Sequence, residues 1–387
     1  MKNFFRTWRE SMNFMHEKSA WDGIVFYSEG GAYAPYLRPM IDALADTYDG
    51  WVYYLTSDES DPLLLNSPAH VKPYFIGSGN MRTYVMNGLR AKVFAMTMPD
   101  LNTFHIKRSP HVKHYTYFHH SLVSTHMMYR EGAFDHFDSM LCVGSFQKAE
   151  VRQWEKARGL PAKQLFKHGS PPLDTLMRAK ASRPPLVYDH DQPMNVLLAP
   201  SWGPDGVMET RAIEIVGVLL DAGHFVRVRP HPRTRQLACK ALSDLSDKYS
   251  SHPNFTMNED ISGHEALHQS HVMICDWSGV AMEFAFGLEK PVLFVDVPKK
   301  LNNPNYQEVE ATPLEIWYRD EVGVVIQPDK LKDLPTALNS LQKSAAVIQA
   351  KTVALREHLF YNLGSSGQRG AELLVEIANS IESSSQN

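Results

Sequence analysis

Short apolar runs alternate with longer amphipathic segments along almost the whole chain. Several short runs are apolar at consecutive positions, which is typical of strands buried on both faces of a parallel sheet. The longer segments, such as 33–45 and 145–158, have helical periodicity. The predicted strands are GIVFYS (23–28), WVYYLT (51–56), KPYFI (72–76), KVFAM (92–96), HYTYF (114–118), SMLCV (139–143), QLFKH (164–168), NVLLAP (195–200), HFVRVR (224–229), NFTM (254–257), HVMIC (271–275), PVLFV (291–295) and GVVI (323–326). This alternation predicts an α/β fold with mostly parallel sheets covered by helices.

A proline-rich polar stretch, SRPPLVYDHDQPMN at 182–195, interrupts the alternation and is the predicted linker. We therefore predict a helix over 1–20, a Rossmann-like domain over 21–185, and a second Rossmann-like domain over 186–387 that includes the C-terminal helices. Ligands of such sheets bind beyond the carboxyl ends of the strands. The predicted site is thus a central cleft between the two domains.

Composition narrows the class of protein. The 387 residues include 39 Lys plus Arg and 43 Asp plus Glu, for a net charge of −4, which argues against a nucleic-acid partner. Cys142, Cys239 and Cys275 lie far apart, which excludes a disulfide scaffold and favours a reducing compartment. No apolar stretch approaches the roughly 20 residues of a membrane span, and no signal peptide is evident. We expect a cytoplasmic protein.

The N-terminal segment has an apolar face of its own. Phe4, Phe5, Trp8, Met12 and Met15 fall near one side of a predicted helix. Such a helix either lies on a membrane surface or packs on its own protein, and the pattern leaves both readings open.

A histidine pair directly follows the fifth predicted strand. The segment YFHHS (117–121) contains His119 and His120, and a histidine at a strand end facing a cleft suits a general base. The alternative is a histidine that only bonds a backbone carbonyl. Other histidines lie nearby, but their spacing matches no zinc-ligand pattern, so we predict no metal and no cofactor.

A basic cluster ends another predicted strand. In VRVRPHPRTR (226–235), Arg229, His231 and Arg233 converge at a strand-to-helix junction. Arginine donates bidentately to phosphate, so we expect an anion site here. A solvated basic turn is the alternative.

A third segment combines small and acidic residues. In CDWSGVAME (275–283) a strand ends, and a helix begins near Asp276, Ser278 and Gly279, with Glu283 within reach of a ligand. Free amides at such a helix start can bind phosphate, although a plain N-cap explains Asp276 and Ser278 equally well. The loop at Ser201 faces the same predicted cleft.

Other nucleotide motifs give little support. Asp189-His190-Asp191 is a DxD triplet, the metal-nucleotide signature of a different glycosyltransferase architecture, but it falls in the linker and is interpreted as a solvated turn. Walker and GxGxxG motifs are absent from the sequence.

Taken together, the motifs resemble those of the CDP-glycerol glycerophosphotransferase family, the teichoic-acid polymerase and primase group with a GT-B fold. The matched segments are FHHSL (118–122) for WHGTP, GSPPLD (169–174) for GYPRND, APSWG (199–203) for APTWR, RPHPR (229–233) for the basic HP motif, and DWSG, Glu283 and KPVLF (290–294) for SDYSS…D…KP. His120 and Leu122 replace the family's glycine and proline, which leaves the choice between His119 and His120 open. Pro172 and Gly203 replace expected arginines, and Gly279 replaces a serine.

The resemblance implies a metal-independent transferase with an N-terminal acceptor domain and a C-terminal nucleotide-donor domain. It would move glycerol phosphate, or a related polyol phosphate, from a CDP-activated donor to a hydroxyl of a polymer or lipid-linked glycan, as in teichoic acid or capsule synthesis, and release CMP. His119 would be the base that deprotonates the acceptor hydroxyl, with His120 as the alternative, and His231, Arg229, Arg233 and the Ser278 region would stabilise the pyrophosphate. The protein would work at the inner membrane face. Alternatives are a nucleotide-sugar glycosyltransferase, a UDP-sugar 2-epimerase-like isomerase and a non-catalytic nucleotide-binding module.

Overall fold

The computed structural model describes residues 2–103, 106–186, 192–257 and 264–385. It contains two parallel sheets, and each of the thirteen predicted strands forms, which confirms the α/β fold class. The strands of the first sheet are β1 (Ile24–Ser28), β2 (Val52–Thr56), β3 (Val71–Phe75), β4 (Ala91–Met96), β5 (Val112–Phe118), β6 (Ser139–Cys142) and β7 (Gln164–Lys167). Those of the second are β8 (Asn195–Leu198), β9 (Phe225–Val228), β10 (Phe255–Met257), β11 (Val272–Cys275), β12 (Val292–Val295) and β13 (Gly323–Ile326).

Both sheets place their first strand in the interior. The orders are β3-β2-β1-β4-β5-β6-β7 and β10-β9-β8-β11-β12-β13, with every pairing parallel. Every residue of β1, β2 and β4 is buried, because helices cover both faces of the sheet. This explains why their apolar runs are continuous rather than alternating.

Helices connect the strands and cover the sheets. In the first half they are α1 (Lys2–Met15), α2 (Ala34–Thr47), α3 (Pro62–Leu65), α4 (Asn80–Gly88), α5 (Ser145–Ala157) and α6 (Pro171–Ala181). They continue with α7 (Val207–Thr210), α8 (Ala212–Asp221), α9 (Pro232–Leu237), α10 (Cys239–Tyr249), α11 (Glu265–Gln269), α12 (Val280–Met282), α13 (Leu314–Trp317), α14 (Arg319–Val322), α15 (Leu334–Leu359) and α16 (Ser366–Ser385). A π-helical turn, Glu283–Gly287, directly follows α12.

The last helix returns to the first half of the molecule. Ala371, Leu374 and Ile377 of α16 are buried in the same apolar cluster as Leu37 and Ile41 of α2. This packing differs from the predicted division, in which all residues of 186–387 belong to the second domain. The sequence pattern marks α16 as amphipathic but does not indicate which sheet it covers.

The N-terminal helix packs on its own protein along one side. Phe14 is buried, with its ring centroid 5.4 Å from that of Tyr74, and the Glu10 carboxylate accepts a hydrogen bond from the Phe75 amide. Phe5 and Trp8 remain 63% and 50% exposed. The helix therefore packs on its own protein through one side, as one of the two alternatives predicts, whereas Phe5 and Trp8 lie at the surface. No described helix is long and apolar enough to cross a membrane.

Candidate active site

A cleft of about 790 Å³ lies between the two sheets. The residues that follow β1, β5, β8, β9 and β11 line it, so the carboxyl ends of strands from both halves face the same space. This is the location expected for ligands of parallel sheets. The predicted site residues found in its lining are His120, Ser201, Arg229, His231, Arg233, Ser278, Gly279 and Glu283.

The structure separates the two neighbouring histidines. His120 lines the cleft, whereas His119 is only 2% exposed and lies behind it. The His119 ring contacts Tyr117, Tyr129 and Phe134 edge-on, and its ring nitrogens make no hydrogen bond to the described residues. Burial lowers the pKa of His119 well below its usual value. His119 is therefore placed as a neutral core residue.

His120 is held in the protonation form that a base requires. Its Nδ1 lies 3.2 Å from the carbonyl oxygen of Thr97, which can only accept, so Nδ1 carries the proton of the neutral ring. The Nε2 lone pair is then available to take a proton. Tyr33 and Tyr36 contact the ring at centroid distances of 5.3 and 6.2 Å. Burial lowers the pKa of His120 to about 4, so the ring is neutral at physiological pH.

The predicted basic cluster forms at the end of β9. The amide of Arg229 donates to the Leu198 carbonyl at 2.8 Å, which ties the start of this turn to β8. His231 Nδ1 accepts from the Arg233 amide at 3.1 Å and thereby caps α9. The proton of neutral His231 is consequently on Nε2, where it can be donated to an anion. Burial, with Lys300, Arg233 and Arg229 nearby, lowers the pKa of His231 to about 4.

Asp276 acts within the protein and is absent from the cleft lining. Its buried carboxylate accepts from the Ser201 amide at 2.7 Å and from the Val207 amide at 3.0 Å. These two bonds fix the loop that follows β8 and place Ser201 in the cleft. The structure thus gives Asp276 a positioning role.

Ser278, Gly279 and Glu283 lie where the helix after β11 begins. The residue that precedes α12 is Gly279, which has no side chain to cap the helix. Gly279 sits close to the first half, because a Cβ there would lie 3.3 Å from Ser121 Oγ. Glu283 interacts electrostatically with Tyr36 of α2, so the two halves meet across the cleft. Burial raises the pKa of Glu283 and Arg229 opposes that shift.

Several cleft residues were not predicted from the sequence. Glu29 and Tyr33 follow β1 directly and could have been found by the rule applied to the other strands. Tyr36 is one turn into α2, and Lys300 is five residues beyond β12, where no local motif marks it.

Asp189, His190 and Asp191 lie outside the described residues. In the described part of the chain, no group of three or more His, Cys, Asp or Glu side chains is arranged to hold a metal ion.

Comparison with known proteins agrees with this geometry. The family model for CDP-glycerol:poly(glycerophosphate) glycerophosphotransferases matches residues 118–304, which include the lining residues from His120 to Asn302. A search of curated proteins gives no match.

Solved structures with the same fold cover nearly the whole chain. The wall teichoic acid polymerase TagF is 13% identical, with a TM-score of 0.59 over 98% of this chain and 95% of its own. UDP-GlcNAc 2-epimerase from Neisseria meningitidis is 13% identical, with a TM-score of 0.56 over 91% and 99%. The enzyme of that name from Methanocaldococcus jannaschii, in complex with UDP-GlcNAc and UDP, is 14% identical, with a TM-score of 0.52 over 92% and 99%. At these identities the likeness shows a shared GT-B fold.

The predicted GT-B fold is thus confirmed, and the family match supports a transferase. Over residues 118–304, the resemblance of this chain to the CDP-glycerol:poly(glycerophosphate) glycerophosphotransferase family is confirmed.

Proposed function

We propose that the protein transfers glycerol phosphate, or a related polyol phosphate, from a CDP-activated donor to a hydroxyl of a cell-envelope polymer or lipid-linked glycan. His120 Nε2 takes the proton of the acceptor hydroxyl. The hydroxyl oxygen forms a bond to the β-phosphorus, and the bond from that phosphorus to the bridging oxygen breaks, so that CMP leaves. No covalent enzyme intermediate is needed in this single displacement.

The cations of the second half serve the donor. Arg229, Arg233 and the Nε2–H of His231 face the cleft opposite His120, where they stabilise the charge of the pyrophosphate. Such catalysis depends on positioning and electrostatic stabilisation. Ser278 and Gly279 line the same region and bring backbone amides near the anion.

The observation that carries this proposal is the pairing of a fixed neutral base with a cation cluster across one cleft. The test is to incubate the purified protein with CDP-glycerol, CDP-ribitol or a panel of UDP-sugars, together with envelope polymer, and to measure released nucleotide. CMP release that depends on acceptor supports the proposal. UDP release indicates a glycosyltransferase instead, an epimerised UDP-sugar indicates an isomerase, and binding without turnover indicates a nucleotide-binding module.

We expect transfer to be independent of added metal. The charge of the pyrophosphate is assigned to Arg229, Arg233 and His231, so dialysis against EDTA should leave the rate unchanged. The control is the double variant Asp189→Ala/Asp191→Ala, which removes the DxD triplet and should also retain activity. Activity that requires Mg²⁺ or Mn²⁺ and is lost in this double variant would instead assign the donor charge to a DxD-bound metal.

The exposed aromatic pair on α1 supports a proposed peripheral contact with the inner face of the membrane. Burial of the Phe5 and Trp8 side chains in the membrane interface would stabilise the bound state by about 1.5–3 kcal/mol each. The double variant Phe5→Ser/Trp8→Ser should therefore weaken vesicle binding by at least about tenfold. Co-sedimentation with phosphatidylglycerol vesicles measures the effect. Val347→Ser is the matched control, because Val347 is 61% exposed on α15. Equal binding by all three proteins would exclude this contact.

A further inference from the structure

The family motif has an arginine at the position of Gly203, so this chain lacks one cation that the resemblance leads us to expect in the anion site. In the structure Gly203 has a φ of 137°, a backbone conformation that side chains with a Cβ rarely adopt, and a Cβ built there has no neighbour within 4 Å. The loop after β8 therefore supplies no cation at this position. Its neighbour Trp202, however, lies in the cleft.

Lys300 brings a positive charge to the same place from a different part of the chain. Its Nζ lies 3.8 Å from the centroid of the Trp202 ring, and the guanidinium carbon of Arg233 lies 4.2 Å from that centroid. Both cations line the cleft beside His231. None of the ion pairs formed among the described residues includes Lys300, although Asp276 and Glu209 act on its ammonium electrostatically.

The first half of the molecule fixes the segment that carries Lys300. The amides of Asn302 and Asn303 donate to the Met127 carbonyl at 3.2 and 3.3 Å. The side-chain amides of the same two asparagines donate to the carbonyls of Met128 and His126 at 2.7 and 2.9 Å. The chain just after Lys300 is therefore fixed by contacts from the opposite side of the cleft.

Partial burial of Lys300 disfavours the charged form of its ammonium group. Burial lowers the pKa of Lys300 to about 8, so the side chain is still mostly charged at neutral pH. A half-buried ammonium near Arg233, without a close carboxylate, gains from an anionic ligand more than a solvated lysine would. Lys299, its neighbour in sequence, is exposed and absent from the cleft lining, so it provides a matched comparison.

We infer that Lys300 is a donor-binding residue that contacts the pyrophosphate of the nucleotide donor beside Trp202, in place of the arginine missing at Gly203. This inference rests on the proposed function, because it assigns the ligand of the cation cluster to a nucleoside diphosphate group. It adds a residue from the segment after β12 to a site that the motifs place at β8, β9 and β11.

The test is calorimetric binding of CDP, UDP and cytidine to Lys300→Met, Lys300→Arg and Lys299→Met. Methionine keeps an apolar stem against Trp202 but removes the charge, so we expect CDP affinity to fall by about tenfold or more, as for the loss of one charge-assisted hydrogen bond. Cytidine affinity should be unchanged, Lys300→Arg should retain most of the CDP affinity, and Lys299→Met should match the wild type.

The outcomes separate this inference from the proposed function. Wild-type affinity for CDP in a well-folded Lys300→Met variant overturns the role of Lys300 and leaves the transferase proposal standing. A preference of the wild type for UDP, weakened by Lys300→Met, supports Lys300 and overturns the CDP donor. Failure of the wild type to bind either diphosphate overturns both. Melting temperatures verify that each variant is folded.

Discussion

Replacement of His120 by leucine is expected to lower the rate of phosphoryl transfer by about 10²–10⁴-fold, the usual loss for a positioned general base. The reason is the protonation of the ring, since the Thr97 carbonyl holds the proton on Nδ1 and leaves the Nε2 lone pair free to accept the proton of a hydroxyl group. Because His120 lies in the first half of the molecule, opposite the cations proposed to bind the donor, CDP affinity should be nearly unaffected. Steady-state rates and calorimetric binding measure the two effects separately.

The neighbouring histidine supplies the control. The imidazole nitrogens of His119 are buried and make no hydrogen bond to the described residues, so His119→Leu removes a polar group that is not compensated there. We expect His119→Leu to keep the wild-type turnover and to be at least as stable. Normal activity of His120→Leu combined with loss in a folded His119→Leu would move the base one residue back.

The pH dependence of the rate gives an independent readout of the same assignment. The pKa of His120 is about 4, so its Nε2 accepts a proton throughout the neutral range and is blocked only when the pH falls toward 4. We therefore expect no inflection between about pH 6 and 8 from this residue, in contrast to a solvated histidine with a pKa near 6.5. An inflection of the rate near pH 6.5 would instead indicate a solvated base with an ordinary pKa and would contradict the assignment to His120.

Much of the fold follows from patterns that are local. Continuous apolar runs such as those of β1 and β4 are typical of buried strands, and the position of Arg229 and Ser278 directly after predicted strands placed them at one edge of the sheets. The choice between His119 and His120 was different. Two adjacent residues at a strand end point to opposite sides, and only the packing of Tyr117 and its aromatic neighbours decides that His119 faces inward.

Other features depend on contacts that are distant in sequence. Lys300 reaches the cleft from a segment whose Asn302 and Asn303 bond the loop after β5, more than 170 residues away. The side on which α16 packs depends on the crossing of the chain after α15. Asp276 looks like a helix cap from its position, but the carboxylate is used by the amides of Ser201 and Val207. No short-range pattern encodes these partners.

Replacement of Arg229 by methionine is expected to weaken CDP binding by about 10²-fold, because this half-buried side chain would lose the bidentate contact to phosphate that the proposed function assigns to it. Its backbone is fixed by the Leu198 carbonyl, so the side chain is presented from a rigid strand end. Its charge also lowers the pKa of Glu283, against the effect of burial. Removal of that charge should leave Glu283 more easily protonated.

Arg227 is the matched control, since it lies two residues earlier and has the same side chain. Its guanidinium donates to Gln269 Oε1 at 2.7 Å and is absent from the cleft lining. Arg227→Met should therefore keep wild-type CDP affinity, although both variants lose one positive charge from the same strand region. Equal losses in the two variants would mean that the effect comes from the general electrostatic field of the second half. Arg229→Lys distinguishes the remaining possibilities, because lysine keeps the charge but cannot form the bidentate contact, and an intermediate affinity is expected only if Arg229 touches the phosphate.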